Sequence, residues 1–191
     1  MVLPIVHYGD PILRKKGKPV ERFDEELVRL ASNMVETMYE AEGIGLAAQQ
    51  VGRDLQFCVV DVRDAESKLT YQLDGVSPPL DLIMPMALAN PVVEAVLKPT
   101  TVYEEGCLSF PGIRGDVVRP DVITVKFKDV HGEPHELTCN GLLSRCIQHE
   151  VDHLNGVLFI EHMTKSVLAS LEADLRKLKK QTQKSRQTSI L

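Results

Sequence analysis

The chain has 191 residues, 43% hydrophobic and 26% charged, with a formal net charge of −5. That length suits one domain, 1–191, with a real core, and the charge gives no overall pull toward DNA. No apolar run approaches the roughly 20 residues that span a bilayer. The opening MVLPIVHYGDP lacks a signal peptide's basic and apolar regions, and four cysteines without framework spacing fit a reducing compartment.

Leu27, Leu30, Ala31, Met34 and Met38 recur at steps of three and four, which puts them on one face of a helix over about 25–42. Asp24 is a good N-cap, Phe23 and Val28 sit at staple positions, and Gly43 is expected to end the helix. In GIGLAAQQVG (43–52), Gly43 and Gly45 permit unusual backbone angles and close approach of another chain. FCVVDV (57–62) reads as a buried strand, and the polar, proline-containing stretch 63–85 as a surface loop. ALANPVVEAVL (87–97) reads as extended, with Pro91 at an edge or bulge.

VITVKFK (122–128) alternates, with Ile123, Val125 and Phe127 facing inward. The DVHGEP turn then returns the chain into HELTC as an antiparallel hairpin. A second helix is expected over about 142–154, closed by Gly156. A third begins near Thr164, with Leu168, Leu171, Leu175 and Leu178 as an apolar stripe and its charges acidic early and basic late. The polar tail beyond it is expected to fray. Helices and strands mix without a βαβ rhythm, so the fold class is α+β with antiparallel sheet.

QHEVDHLNG (148–156) carries the chemistry. On a helix, His149 and His153 share a face and can reach one ion. Glu150 is rotated by about 100° from His149 and can contact water rather than metal, which is why the H-E-x-x-H spacing suits metallohydrolases. In this composition the motif arises by chance in roughly one or two chains per hundred. The bland alternative is a pair of surface histidines.

Several residues could complete the site. A long zinc-protease signature would place a third histidine where Phe159 stands. Glu161 and Glu172 are downstream carboxylates, Glu172 reading as a solvated surface charge. Cys146 lies seven residues from His153, about 10 Å along the axis, and reads as pocket lining. Cys58 and Cys139 read as core. Cys107, in EEGCLSFPG, lies in a glycine-flanked extended loop that can approach the helix from outside. One cysteine and two histidines would leave a fourth position open, a catalytic arrangement. Glu104 and Glu105 read as structural acceptors, and His7, His131, His135 and His162 as surface or turn residues.

GIGLAAQQVG (43–52), EGCLSFP (105–111) and QHEVDH (148–153), with YGDPILR (8–14), together resemble the peptide deformylase family over about residues 3–165. The resemblance implies antiparallel or mixed sheets around a central metal-binding helix, with a C-terminal helix. It implies metal ligands Cys107, His149 and His153, Glu150 as general acid/base, and an oxyanion site made by the Gln50 amide and the Leu108 N–H. The metal implied is Fe²⁺, with Zn²⁺, Ni²⁺ or Co²⁺ able to substitute.

The substrate implied is the N-formyl-methionine end of nascent polypeptides in a bacterial-type cytoplasm. The peptide would pair with Gly43, Ile44, Gly45 and Leu46. Ile44, Leu142, Cys146 and His149 would wall the methionine pocket, with Gly106 close by and Arg114 near its mouth. Two departures stand out. Gln49 replaces a usual Thr or Pro, and Arg145 replaces a frequent aliphatic residue. Six basic and no acidic residues follow from Arg176 onward, and in some relatives this helix docks on the ribosome. The competing readings are a zinc endopeptidase and a metal-stabilised RNA-associated module.

Overall fold

The computed structural model describes residues 1–64 and 69–188. Residues 65–68 of the expected loop and 189–191 of the expected tail lie outside the described residues. Helix α1 runs Glu25–Glu40, and the Asp24 carboxylate accepts from the N–H groups of Glu26 and Leu27 at 3.0 and 3.3 Å. Glu42, not Gly43, makes the exit: it takes φ 55°, and the Gly43 N–H reaches back to the Met38 carbonyl at 2.9 Å.

Six strands follow: β1 Gly45–Ala47, β2 Phe57–Val60, β3 Tyr71–Leu73, β4 Met86–Gly106, β5 Arg114–Lys128 and β6 Pro134–Cys139. They form one sheet in the order β1-β2-β4-β5-β6-β3, each neighbouring pair antiparallel. Short helix α2 (Leu80–Ile83) and β3 fall inside the stretch read as a surface loop. Helix α3 spans Gly141–Leu154, with Gly156 at φ 74° just past its end, and helix α4 spans Lys165–Thr188.

The FCVV run is apolar throughout because β2 has a helix on each side. Phe57 and Val59 join Leu27, Ala31, Met34 and Met38 of α1 in one core. Cys58 and Val60 face the other way, onto Leu143, Cys146 and Ile147 of α3. Strand alternation enforces this split. It also sends Leu46 into the α1 core and Ala47 into the α3 core. Ile123, Val125 and Phe127 face inward as expected.

The largest departure is the β4–β5 hairpin, whose strands have 21 and 15 residues. Its tip returns the chain between Gly106 and Arg114, which pair. The tail does not fray within the described residues. Helix α4 buries Leu175 and Leu178 against Leu13, Phe110 and Phe159, and Arg186 meets Asp10 at 2.9 Å.

At the β4 bulge, Asn90 takes φ 53°. Its side chain clasps Val20: the Val20 N–H donates to Oδ1 at 2.8 Å, and Nδ2 donates to the Val20 carbonyl at 2.9 Å. Asn90→Ala removes both partners and should cost about 1–3 kcal/mol. Urea unfolding measures this, and an unchanged midpoint would show that the clasp carries no stability.

Candidate metal centre

Helix α3 projects His149 and His153 from one face, and Cys107 follows β4 at the hairpin tip. Ligand atoms of these three side chains all lie within 4.8 Å of one another. The Cys107 Sγ is 3.2 Å from His153 Nε2. Among the described residues they are the group of three acid, thiol or imidazole side chains able to converge on one ion. A thiol and two imidazoles suit a borderline divalent transition metal rather than Mg²⁺ or Ca²⁺.

His149 is aimed from behind. Its Nδ1–H donates to Glu105 Oε2 at 3.0 Å, which leaves Nε2 to face the centre. Burial lowers the pKa of His149, but its interactions with Cys107 and Glu105 outweigh this and hold it up at about 10. Burial, reinforced by the charge of His149, pushes His153 well down. The pair therefore resists taking two protons, and a cation can replace the one it holds.

Glu105 is more than the structural acceptor expected from sequence. Arg119 donates to it twice, at 2.7 and 3.1 Å, and Arg145 once at 2.7 Å. Burial raises its pKa, but hydrogen bonds from His149 and Arg119 and the Arg119 charge more than offset this, so the carboxyl sits well below the usual range. Arg119 continues to Asp152 at 2.7 Å, and Asp152 to His162 at 2.8 Å.

A cleft of about 740 Å³ opens beside the centre. Glu150 lines it, buried to 4% exposure, and its Oε2 has no partner within the described residues. Burial lifts the Glu150 pKa to about 7. A buried carboxylate oxygen without a partner is costly and suits a site built to meet a water or ligand.

The two adjacent glutamines part company. Gln50 lines the cleft: Oε1 accepts from the Ala47 N–H at 2.8 Å, which aims Nε2 at Cys107 Sγ (3.5 Å) and Ser109 Oγ (3.3 Å). Gln49 turns away and donates to the Leu154 carbonyl at 3.4 Å.

Gly43, Ile44, Gly45, Gly106, Leu108, Arg114, Leu142 and Cys146 all line the cleft. The Leu46 side chain is wholly buried in the α1 core, so it can meet a peptide only through its backbone, which is the pairing expected from sequence. Gly45 needs to be glycine. A Cβ there would stand 2.3 Å from Glu150 Oε1 and 2.8 Å from Cys146 Sγ, although its φ is not in the left-handed region. Arg145 lines the cleft but sends its guanidinium to Glu105, Val117 and Thr101. Three residues around the cleft were not named from sequence as part of it: Ser109, on the Gln50 amide, Arg119, on Glu105, and His7, in the cleft lining. Ser109 lay within the quoted CLSF motif, whereas Arg119 and His7 carried no spacing signal.

A family model described as polypeptide deformylase matches residues 2–168. The chain is 60% identical over 184 residues to a peptide deformylase of Opitutus terrae, covering 95% of each protein. It is 42% identical to one from Methylacidiphilum infernorum, covering 94% of each. Among solved structures, Arabidopsis thaliana peptide deformylase 1B superposes with a TM-score of 0.82 at 37% identity, covering 96% of this chain and 93% of that one. The Thermotoga maritima peptide deformylase gives 0.74 at 40%, covering 86% and 99%.

Gly45→Ala should destabilise the folded protein by about 1–3 kcal/mol, because the added methyl must displace Glu150 or Cys146 from a packed site. Denaturant titration reads this directly, and wild-type stability would mean that the contact relaxes without cost.

Proposed function

This chain belongs to the peptide deformylase family, and we propose that Cys107, His149, His153 and Glu150 carry out its reaction. The protein is a metal-dependent hydrolase that removes the formyl group from the N-terminal methionine of newly made polypeptides. The observation that supports this residue assignment is the convergence of three ligand atoms within 4.8 Å beside a buried carboxylate oxygen without a partner.

Cys107, His149 and His153 hold the cation, which in this reading is Fe²⁺ in the cell, with Zn²⁺, Ni²⁺ or Co²⁺ able to substitute. When bound, it supplies Lewis acidity, making water a stronger acid and a carbonyl carbon a better electrophile. Glu150 takes a proton from the attacking water and later gives it to the leaving amine nitrogen. The Gln50 amide and the Leu108 N–H donate to the carbonyl oxygen as it gains charge. Water and the formamide thus become formate and a free amine.

β1 is an edge strand, so an extended peptide can add beside the backbone of residues 43–46. Gly43 and Gly106 keep the approach open. Ile44, Leu142, Cys146 and His149 wall the methionine pocket, and Arg114, 3.7 Å from Glu104, stands at its mouth. The endopeptidase reading loses support at Phe159. That side chain is buried against Phe110 and the His149 ring, at 5.1 and 5.6 Å between centroids.

We place the enzyme as a single catalytic domain in a bacterial-type cytoplasm, beside the ribosomes that deliver its substrate. Lys177, Lys180 and Lys184 are exposed on α4, and in this reading they face ribosomal RNA. Changing all three to glutamate should weaken ribosome co-sedimentation; undiminished binding at low salt would remove that role.

The main test is formate release from a formyl-Met tripeptide. Release should be chelator-sensitive, fall roughly 10²–10⁴-fold in Glu150→Ala, and be absent for an unformylated peptide. The acidic limb of kcat/KM should lie at or below pH 7, because Glu150 must be deprotonated to act as base and a nearby cation lowers its pKa. No release from Fe²⁺ or Ni²⁺ protein under anaerobic conditions would sink the proposal, and cleavage inside unformylated peptides would favour the endopeptidase.

A further inference from the structure

The proposed ligands ride on two separate elements. His149 and His153 belong to α3, while Cys107 sits at the tip of the β4–β5 hairpin. A side chain that bridges helix and hairpin therefore sets the distance between thiol and imidazoles.

Arg145 is such a bridge. It is 6% exposed and lies on α3, one turn before His149. Its Nη1 donates to Glu105 Oε1 at 2.7 Å and to the Val117 carbonyl at 3.2 Å. Its Nη2 donates to the Thr101 carbonyl at 2.9 Å and to Thr101 Oγ1 at 2.8 Å. Thr101 and Glu105 are on β4 and Val117 is on β5, so one guanidinium grips both strands of the hairpin. The guanidinium also lies over the Tyr103 ring, 5.6 Å from its centroid. The carboxylate that Arg145 holds is the one that accepts from His149 Nδ1.

Arg119 makes the reciprocal tie, from β5 to Glu105 and to Asp152 on α3. Losing Arg145 leaves that tie in place, so the hairpin stays docked while its registry against the helix loosens.

We propose that Arg145 is a positioning residue for the metal centre. By pinning the hairpin to α3 and holding Glu105 against His149, it keeps Cys107, His149 and His153 at ligating distance. The inference rests on the ligand set proposed above.

The test uses full-length protein stripped of metal and reloaded with Co²⁺. Co²⁺ affinity is measured by chelator competition, the thiolate-to-cobalt charge-transfer and d–d bands by absorbance, and apoprotein stability by thermal melting. Arg145→Met should weaken Co²⁺ binding by roughly 10–100-fold and shift the d–d bands. A purely structural role would lower the melting temperature alone, so unchanged affinity and spectrum in folded R145M would overturn the proposal. Should R145M fail to fold, Arg145→Lys decides: a loss of several-fold or more in affinity supports it, and wild-type affinity overturns it. The ligand set is checked separately. Wild type without a thiolate band, or Cys107→Ala binding Co²⁺ as tightly as wild type, would overturn that assignment itself. A normal wild-type band with an unaltered R145M would overturn only the role of Arg145.

Discussion

A carboxylate buried beside the candidate metal centre governs this structure. Glu105 is 6% exposed, and an unmatched anion at such a depth would cost several kcal/mol. It is matched by three donors, Arg119, Arg145 and His149, drawn from β5 and α3. Satisfying that one charge therefore forces the hairpin and the helix together. The proton stays on His149 Nδ1 because the partner facing it stays ionised. The shape of the candidate centre is thus set by electrostatics behind it as much as by the three side chains that converge there.

The same buried charges hid part of the fold. Helix α1 was legible because its apolar residues repeat at helical spacing, and the second half of β5 because Ile123, Val125 and Phe127 alternate. The hairpin's outer half was not. Inward-facing positions there are held by Glu105 and Arg119, charges that break the apolar alternation by which a half-buried strand is read. An ion pair in a core imitates solvent exposure, because its complement lies on another strand. β1 was missed for a different reason: its three residues are too few to show a period.

The candidate site was more legible than the fold around it. Two histidines four apart on a helix announce themselves by local geometry. Cys107 was a candidate from its glycine-flanked loop, whereas Gln50 needed the family resemblance, because its proximity to α3 depends on how the sheet folds back. Arg145 was noticed as a departure, but its partners, Thr101 and Val117, lie on strands whose full extent the sequence did not reveal.

Helix α4 closes on the other end of the chain. Arg186 pairs with Asp10, Lys179 packs against Gly9, and Leu175 and Leu178 share a core with Leu13. The N-terminal segment in turn straps the site, with the Val6 N–H on the Gln50 carbonyl and the Tyr8 N–H on that of Ser109. During synthesis the two sides of this contact emerge on the order of 10–30 s apart, at roughly 5–20 residues per second. The N-terminal strap is therefore made well before the helix that covers it. Cys107, His149 and His153 are all made before α4, so they can converge while the strap beneath them is still unsealed.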